Sequence, residues 1–382
     1  MGLESQTEKD IYQKYNLKKV INASGRMTIL GVSTPRPEVV NTVCEGLNEY
    51  FEIKDLVDKT GQYIANLLNV ENAVVVSCAS AGIAQAVAGV IVKDDLDLLM
   101  NLHSSDKYVP REIIVPKGHN VNFGAPIGTM VGLGGGIVVE AGYANECKPE
   151  HIESLINPDT AAILYVKSHH CVQKSMLSVA QTASIAKKYN IPLIVDAAAE
   201  EDLQTYYQQG ADLVIYSGAK AIEGPTSGLV IGRQQAVEWV KRQSQGIGRP
   251  MKVGKEGILG LTKAIELYIT EPKQETGQQM VAKMTPFIEK LNAIAGISAK
   301  VVWDGAGRDI ARAEISFDAK VTGKSAQDMV HLMKQGKIAV YFRDYKANEG
   351  KVDADVRSVT GEQLDIIYNK IKAIIQGASS CN

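Results

Sequence analysis

Short, continuous apolar runs punctuate the chain: Asn72-Ala-Val-Val-Val76, Glu112-Ile-Ile-Val115, Leu193-Ile-Val195, Leu213-Val-Ile215 and Leu229-Val-Ile231. None shows the strict polar–apolar alternation of a half-buried strand, so they predict strands buried on both faces, as in a parallel sheet. Between them the period changes. Leu56, Tyr63, Ile64, Leu67 and Leu68 are spaced for a helix over 55–70, and 83–92 predicts an Ala-rich helix. Strands and helices alternate from about 110 to 250, the doubly wound α/β pattern. Residues 1–17 read as a polar helical arm, and 20–26 lead into an irregular Gly/Pro segment ending near Pro37. A Gly-rich hinge is expected at 243–254, followed by helices over 256–268 and 276–294. The tail predicts strands at 300–303, 313–317 and 338–342, with helices at 326–335 and 361–375. The expected organisation is an N-terminal segment 1–50, a large domain 51–255 and a small α+β domain 256–382. No internal repeat or low-complexity segment breaks this pattern.

The polar residues that end these runs carry the chemistry. One strand ends in Asp196, and the next ends in Ser217-Gly-Ala-Lys220; a Gly/Pro/Ser turn then leads into the third. Functional groups of open α/β sheets gather beyond the carboxyl ends of strands. A lysine enclosed there has a lowered pKa, and its neutral amine can attack an aldehyde. A carboxylate facing a pyridine nitrogen keeps that nitrogen protonated. The layout therefore suits Lys220 holding pyridoxal 5'-phosphate as a Schiff base, with Asp196 on the ring nitrogen and Ser217 and Ala198 beside the cofactor. Taken singly, Asp196 also fits a strand-end cap and Lys220 a solvated loop lysine; the joint pattern favours the cofactor.

Ser77-Cys78-Ala79-Ser80-Ala81-Gly82 joins a strand to a helix, and its small residues and backbone N–H groups suit the cofactor phosphate. An ordinary strand–helix turn reads the same way. In Lys117-Gly-His119-Asn-Val-Asn122, His119 is placed to stack on the ring or to act as an acid, against the plain alternative of a structural histidine. His169, in Lys167-Ser-His169-His170, is a second strand-end histidine, placed to sit beside the cofactor and to give acid help in catalysis. No carboxylate or cysteine stands at ligand spacing from it, so no metal is expected. Arg343 and Arg357 can clamp a substrate carboxylate, or make surface ion pairs. Arg26, Lys117, Arg249 and Lys252 are candidates for a distal phosphate.

Two other motifs offer different readings. Gly132-Leu-Gly-Gly-Gly136 lacks dinucleotide spacing and the following acid. Ser217-Gly-Ala-Lys220 is also an S-x-x-K string, with Lys59-Thr-Gly61 elsewhere, as in acylating serine enzymes. The Lys-Thr-Gly precedes rather than follows it, and no Ser-Asp-Asn occurs.

Composition narrows the class further. Apolar residues are 45% and charged residues 22% of 382, as in ordinary globular proteins, so one large and one small domain fit. The net charge of −2 and the lack of a basic tract argue against a nucleic-acid partner. Cys44, Cys78, Cys147, Cys171 and Cys381 show no C-x-x-C and read as thiols of a reducing cytoplasm. The start of the chain has no basic-then-apolar leader, and no run of about 18 apolar residues predicts a membrane span.

Val20-Ile-Asn22-Ala-Ser-Gly25, the 77–82 turn, Lys167-Ser-His169, Val195-Asp196-Ala-Ala198, Ser217-Gly-Ala-Lys220, and Gly248-Arg249 through Val253-Gly-Lys-Glu256 together resemble the selenocysteine-synthase-related branch of fold type I pyridoxal phosphate enzymes. The resemblance spans roughly 18–270. It implies an aspartate-aminotransferase-like α/β fold, a cofactor on Lys220, and a homodimer or larger ring with shared sites. The string from Lys117 to Pro126 further resembles ammonia-lyases of that branch that act on phosphorylated 2-amino-3-hydroxy sugar acids. This implies a carbon–nitrogen lyase with a phosphorylated amino or sugar acid as substrate. The Ile-Asn-Ala-Ser-Gly segment begins by residue 21, so the tRNA-gripping N-terminal domain of bacterial selenocysteine synthase is not expected. The alternatives are other chemistry of the same cofactor (dehydratase, aldolase, racemase or transferase) and a non-catalytic cofactor-binding or partner-binding protein.

Overall fold

The computed structural model describes residues 10–168, 170–271, 275–305 and 309–377. Its strands, in chain order, are β1 (Lys19–Ala23), β2 (Asn72–Val76), β3 (Glu112–Pro116), β4 (Ile137–Ala141), β5 (Thr160–Val166), β6 (Leu193–Asp196), β7 (Leu213–Ser217), β8 (Gly228–Gly232), β9 (Ile297–Trp303), β10 (Ala311–Phe317), β11 (Ile338–Phe342) and β12 (Lys351–Asp355). The chain divides into two compact units, Thr34–Pro272 and Met1–Ser33 with Lys273–Asn382.

The larger unit is built on a seven-stranded sheet in the order β2-β8-β7-β6-β5-β3-β4. β3 to β7 pair in parallel, while β8 runs antiparallel to both β7 and β2. β2, β5, β6 and β8 are buried at every position, in keeping with their largely apolar sequences. One face is covered by the helix Ala79–Val92, buried from Ala81 onward because its sequence is apolar all round. The other is covered by Ile53–Leu68, Val179–Tyr189 and Lys255–Thr270, each of which buries only one stripe.

In the smaller unit β9, β10 and β12 form an antiparallel sheet in the order β12-β10-β9, and β1 pairs in parallel with β11. Helices Gly277–Asn292, Ala326–Met333 and Gly361–Ile375 close its core.

Two features differ from the sequence reading. The first strand belongs to the smaller unit: Ile21 and Ala23 bury with Val340 and Phe342 of β11. A segment far from the C-terminal region in sequence is therefore one of its strands, and periodicity cannot show that. The Gly-rich stretch 243–254 does not separate the units. It lies within the larger one as two 3-10 turns, Gln243–Gln245 and Arg249–Met251, with Gln243 fully buried. Among the described residues no helix is long and apolar enough to cross a membrane.

Candidate active site

Strand register places the candidate residues along one edge of the large sheet. Val166 pairs with Asp196, Asp196 with Ile215, Ser217 with Gly228, and Gly228 with Val76. The carboxyl ends of β2, β5, β6 and β7 thus lie at one level, and Ser77, Lys167, Ala197 and Gly218 follow them directly. Neighbouring strands are about 4.8 Å apart, so the stretch from β2 to β5, with β8 between β2 and β7, spreads these groups over about 19 Å.

Asp196 is 6% exposed. Its Oδ1 accepts the Ala198 N–H at 3.1 Å, and the Ala198 carbonyl accepts the Ser217 N–H at 3.1 Å. The Lys220 N–H donates to the Ser217 carbonyl at 3.3 Å. A relay of backbone contacts therefore fixes acid and amine in one frame. Burial raises the Asp196 carboxyl to about 6, against the pull of the Ala198 N–H and the Lys220 charge. Burial also lowers the Lys220 ammonium, against the attraction of Asp196. The result is an amine readily made neutral beside a carboxyl that needs a cation. Both fit a pyridoxal cofactor, whose aldehyde takes the amine and whose ring nitrogen takes the carboxylate.

The phosphate end of such a cofactor also finds a fit. Helix Ala79–Val92 begins at this edge, and the Cys78 sulfur caps it by accepting the Ala81 N–H at 3.4 Å. The Gly82 N–H returns to the Cys78 carbonyl, while Ala79 and Ser80 supply first-turn N–H groups. β8 passes so close that a Cβ on Gly228 would stand 2.5 Å from the Cys78 carbonyl carbon and 2.8 Å from the Ala79 nitrogen. Only glycine permits this approach.

His119 is completely buried. Its Nδ1 accepts the Val166 N–H at 3.4 Å, and its Nε2 lies 3.2 Å from the Val172 carbonyl. Those partners define a neutral ring with its proton on Nε2. The ring meets Tyr165 edge-to-face, with centroids 4.5 Å apart. Burial lowers its pKa to about 4, with the Val172 carbonyl opposing and Lys167 adding to the fall. Both ring nitrogens thus meet backbone groups. His169 lies outside the described residues.

The basic candidates fall in different places. Lys117 pairs with Glu140 at 3.2 Å on the surface. Arg249 and Lys252 are exposed on the larger unit, and Arg26 is half-buried in the smaller. Arg343 lies over the Tyr345 ring at 5.2 Å, with a buried Nε that has no hydrogen-bond partner among the described residues. Arg357 gives Nε and Nη2 to the two oxygens of Asp355, at 2.9 and 2.8 Å. Lys59-Thr-Gly61 lies inside helix Ile53–Leu68, so it offers no strand-borne partner to Ser217.

Sequence reading missed Arg312, Asp355 and Asp304. Arg312 is 4% exposed, and its Nε and Nη1 bind Asp355 and Asp304 at 3.1 and 2.9 Å. The one available signal was Arg312 and Glu314 alternating with apolar residues in β10.

The larger unit's sheet order and the Lys220–Asp196 edge define the class, a fold type I pyridoxal 5'-phosphate protein. Within it, the chain belongs to the L-seryl-tRNA selenium transferase (SelA) family, whose model matches residues 20–332. It is 43% identical, over 97% of its length and 99% of the relative's, to D-glucosaminate-6-phosphate ammonia lyase of Salmonella typhimurium. It is 33% identical, over 95% of its length and 92% of the relative's, to a 5'-C-glycyluridine monooxygenase-decarboxylase of Streptomyces sp.. A solved structure of a D-glucosaminate-6-phosphate ammonia-lyase superposes with a TM-score of 0.92 at 42% identity, covering 98% of this chain and all of that one.

Proposed function

We propose that this chain is a pyridoxal phosphate-dependent ammonia-lyase. It converts D-glucosaminate 6-phosphate, a phosphorylated 2-amino-3-hydroxy sugar acid, to 2-keto-3-deoxygluconate 6-phosphate and ammonia. The carrying observation is the Lys220–Asp196 pair, a lowered amine and a buried carboxyl on one backbone relay. Near-full-length similarity to an enzyme of that name supports the substrate.

When bound, the cofactor supplies an electron sink at the substrate's α-carbon. Lys220 would hold the cofactor and, with its amine free, would take the substrate's α-proton as general base. Its ammonium then protonates the departing 3-hydroxyl, which leaves as water. His119 is not needed for this step, since its Nε2 proton is held by Val172. Asp196 keeps a negative charge toward the ring nitrogen. Hydrolysis of the released enamine consumes one water and frees ammonia. Arg343 or Arg357 receives the substrate carboxylate. Arg357 is favoured, because a guanidinium already held by Asp355 loses less freedom on gripping an anion. The distal phosphate falls to Arg26, Arg249 or Lys252.

The working form is a cytoplasmic homo-oligomer with shared sites and no nucleic-acid partner. The net charge of −2 supports the last point. Exposed Val40, Leu47, Tyr50 and Ile53 supply an apolar surface suited to a second copy.

The test is an absorbance spectrum of the cofactor-loaded protein before and after D-glucosaminate 6-phosphate, with ammonia and 2-keto acid assayed. A visible band that changes while both products form supports the reading. A band that ignores the sugar acid but responds to serine or threonine replaces the substrate and keeps the cofactor.

A further inference from the structure

Asp196 is followed by three alanines, Ala197-Ala198-Ala199, and then by Glu200. Methyl groups offer no polar anchor, so Glu200 is the first residue beyond the acid whose side chain can fix the turn by hydrogen bonding. One peptide unit of that turn faces Asp196. The Ala198 N–H donates to Asp196 Oδ1 at 3.1 Å, and the Glu200 N–H donates to the Ala197 carbonyl at 3.0 Å. That carbonyl and the Ala198 N–H belong to the same planar peptide unit. Holding its oxygen therefore sets the direction of its N–H.

Glu200 is held in turn. Its Oε2 accepts the Tyr206 O–H at 2.6 Å. Tyr206 is 8% exposed and lies in the same core cluster as Val195 and Ala197. Its backbone is fixed on both sides. Asp202 Oδ1 accepts the Gln204 and Thr205 N–H groups at 2.8 Å each, where the short helix Thr205–Gln208 begins. The Ala211 N–H closes on the Tyr206 carbonyl at 3.1 Å. Burial, then the hydrogen bond and charge of Glu200, raise the Tyr206 phenol, so it stays a donor.

The consequence falls on Asp196. Burial raises that carboxyl to about 6, and the Ala198 N–H is the larger of the two influences that oppose the rise. Without that N–H the acid would keep its own proton more readily and serve a ring nitrogen less well.

We propose that Glu200 and Tyr206 are positioning residues: their hydrogen bond locks the turn that aims the Ala198 N–H at Asp196, and so keeps Asp196 charged toward the cofactor's ring nitrogen. This rests on Asp196 as the residue that faces that nitrogen.

The experiment observes the ring nitrogen directly. The full chain is loaded with pyridoxal phosphate carrying heavy nitrogen in the ring, and the NMR shift of that nitrogen, the cofactor dissociation constant and the melting temperature are measured at neutral pH. Wild type should show a protonated ring nitrogen and Asp196→Asn an unprotonated one. Tyr206→Phe and Glu200→Ala should move the signal part of the way toward that of Asp196→Asn. Each should weaken cofactor binding by about tenfold, the low end for one hydrogen bond to a charged group. With D-glucosaminate 6-phosphate, kcat should fall by about tenfold with KM within about threefold. Glu200→Gln, which still accepts from Tyr206, should stay within about twofold of wild type in binding and turnover. Tyr206→Phe added to Glu200→Ala should weaken binding no further, because both break one bond. A ring nitrogen still protonated in Asp196→Asn overturns the Asp196 reading and this proposal with it. A response in Asp196→Asn with none in Tyr206→Phe and Glu200→Ala, whether or not these melt lower, overturns the positioning role alone. Additive losses in the double variant, or a loss in Glu200→Gln equal to that in Glu200→Ala, do the same.

Discussion

Asp196 and Lys220 oppose each other's burial. The carboxyl is lifted to about 6 and the ammonium lowered, and the charge of each resists the shift of the other. Such a pair is unfavourable in an empty protein and is relieved by a ligand that takes the amine covalently and offers a cation to the acid. That is the demand a pyridoxal cofactor meets.

Lys220→Ala should abolish borohydride-stable attachment of the cofactor and lower turnover by at least about 10³-fold, since nucleophile and base are lost together. The unfolding midpoint should stay level or rise, because a partly desolvated ammonium is removed. Mass spectrometry of the reduced protein gives the first answer and a melting curve the second.

The raised pKa of Asp196 carries a stability sign. The folded acid holds its proton more tightly than the unfolded one, so cofactor-free protein loses stability as pH rises from the ordinary value of 3.8 through about 6. The loss is on the order of 3 kcal/mol at neutral pH. Asp196→Asn, which can still accept from Ala198, should therefore be the more stable cofactor-free protein at neutral pH. Near the ordinary carboxyl pKa the two should converge. With cofactor, wild type should bind more tightly. Denaturant midpoints at both pH values, with and without cofactor, check each part.

His119 gives the opposite dependence. Its folded pKa of about 4 lies below the ordinary 6.5, so stability is lost as pH falls through that window, by on the order of 3 kcal/mol. His119→Gln should flatten the acid limb of stability while lowering stability at neutral pH, as the bonds to Val166 and Val172 weaken. The ring nitrogens, followed by NMR, should stay neutral with the proton on Nε2 above the folded pKa. A ring that titrates near its ordinary value would overturn this assignment.

Gly228→Ala should act at the phosphate end. The new Cβ must displace the backbone at Cys78 or Ala79, at a cost of about 1–3 kcal/mol in stability. Cofactor affinity should fall by more than in Cys78→Ser, which keeps a capping acceptor. Spectroscopic titration of the two variants with pyridoxal phosphate ranks them.

Five strands of the large sheet, β2, β3, β6, β7 and β8, were legible in sequence. Residues 73–76, 193–195 and 213–216 are apolar throughout because they are buried on both faces, so their ends and the polar groups beyond them stand out. The helix over Ala79–Val92 was foreseen only from 83, because a run of small residues reads equally as turn and as first helical turn. β12 was missed: Lys351-Val-Asp-Ala-Asp355 carries too much charge to read as a buried strand. It is one because Arg312 and Arg357 neutralise Asp355.

The sequence by itself determined what depends on neighbours along the chain: apolar runs, helical periods, and a lysine and an acid at strand ends. Tertiary structure alone decided what depends on partners far apart in sequence. It made β8 antiparallel, gave residues 19–23 to the smaller unit, committed both nitrogens of His119 to backbone, and set Asp355 between two arginines. The physical reason is burial. The cost of placing a charge or a ring nitrogen away from water is set by which groups fold against it, and local pattern does not record that.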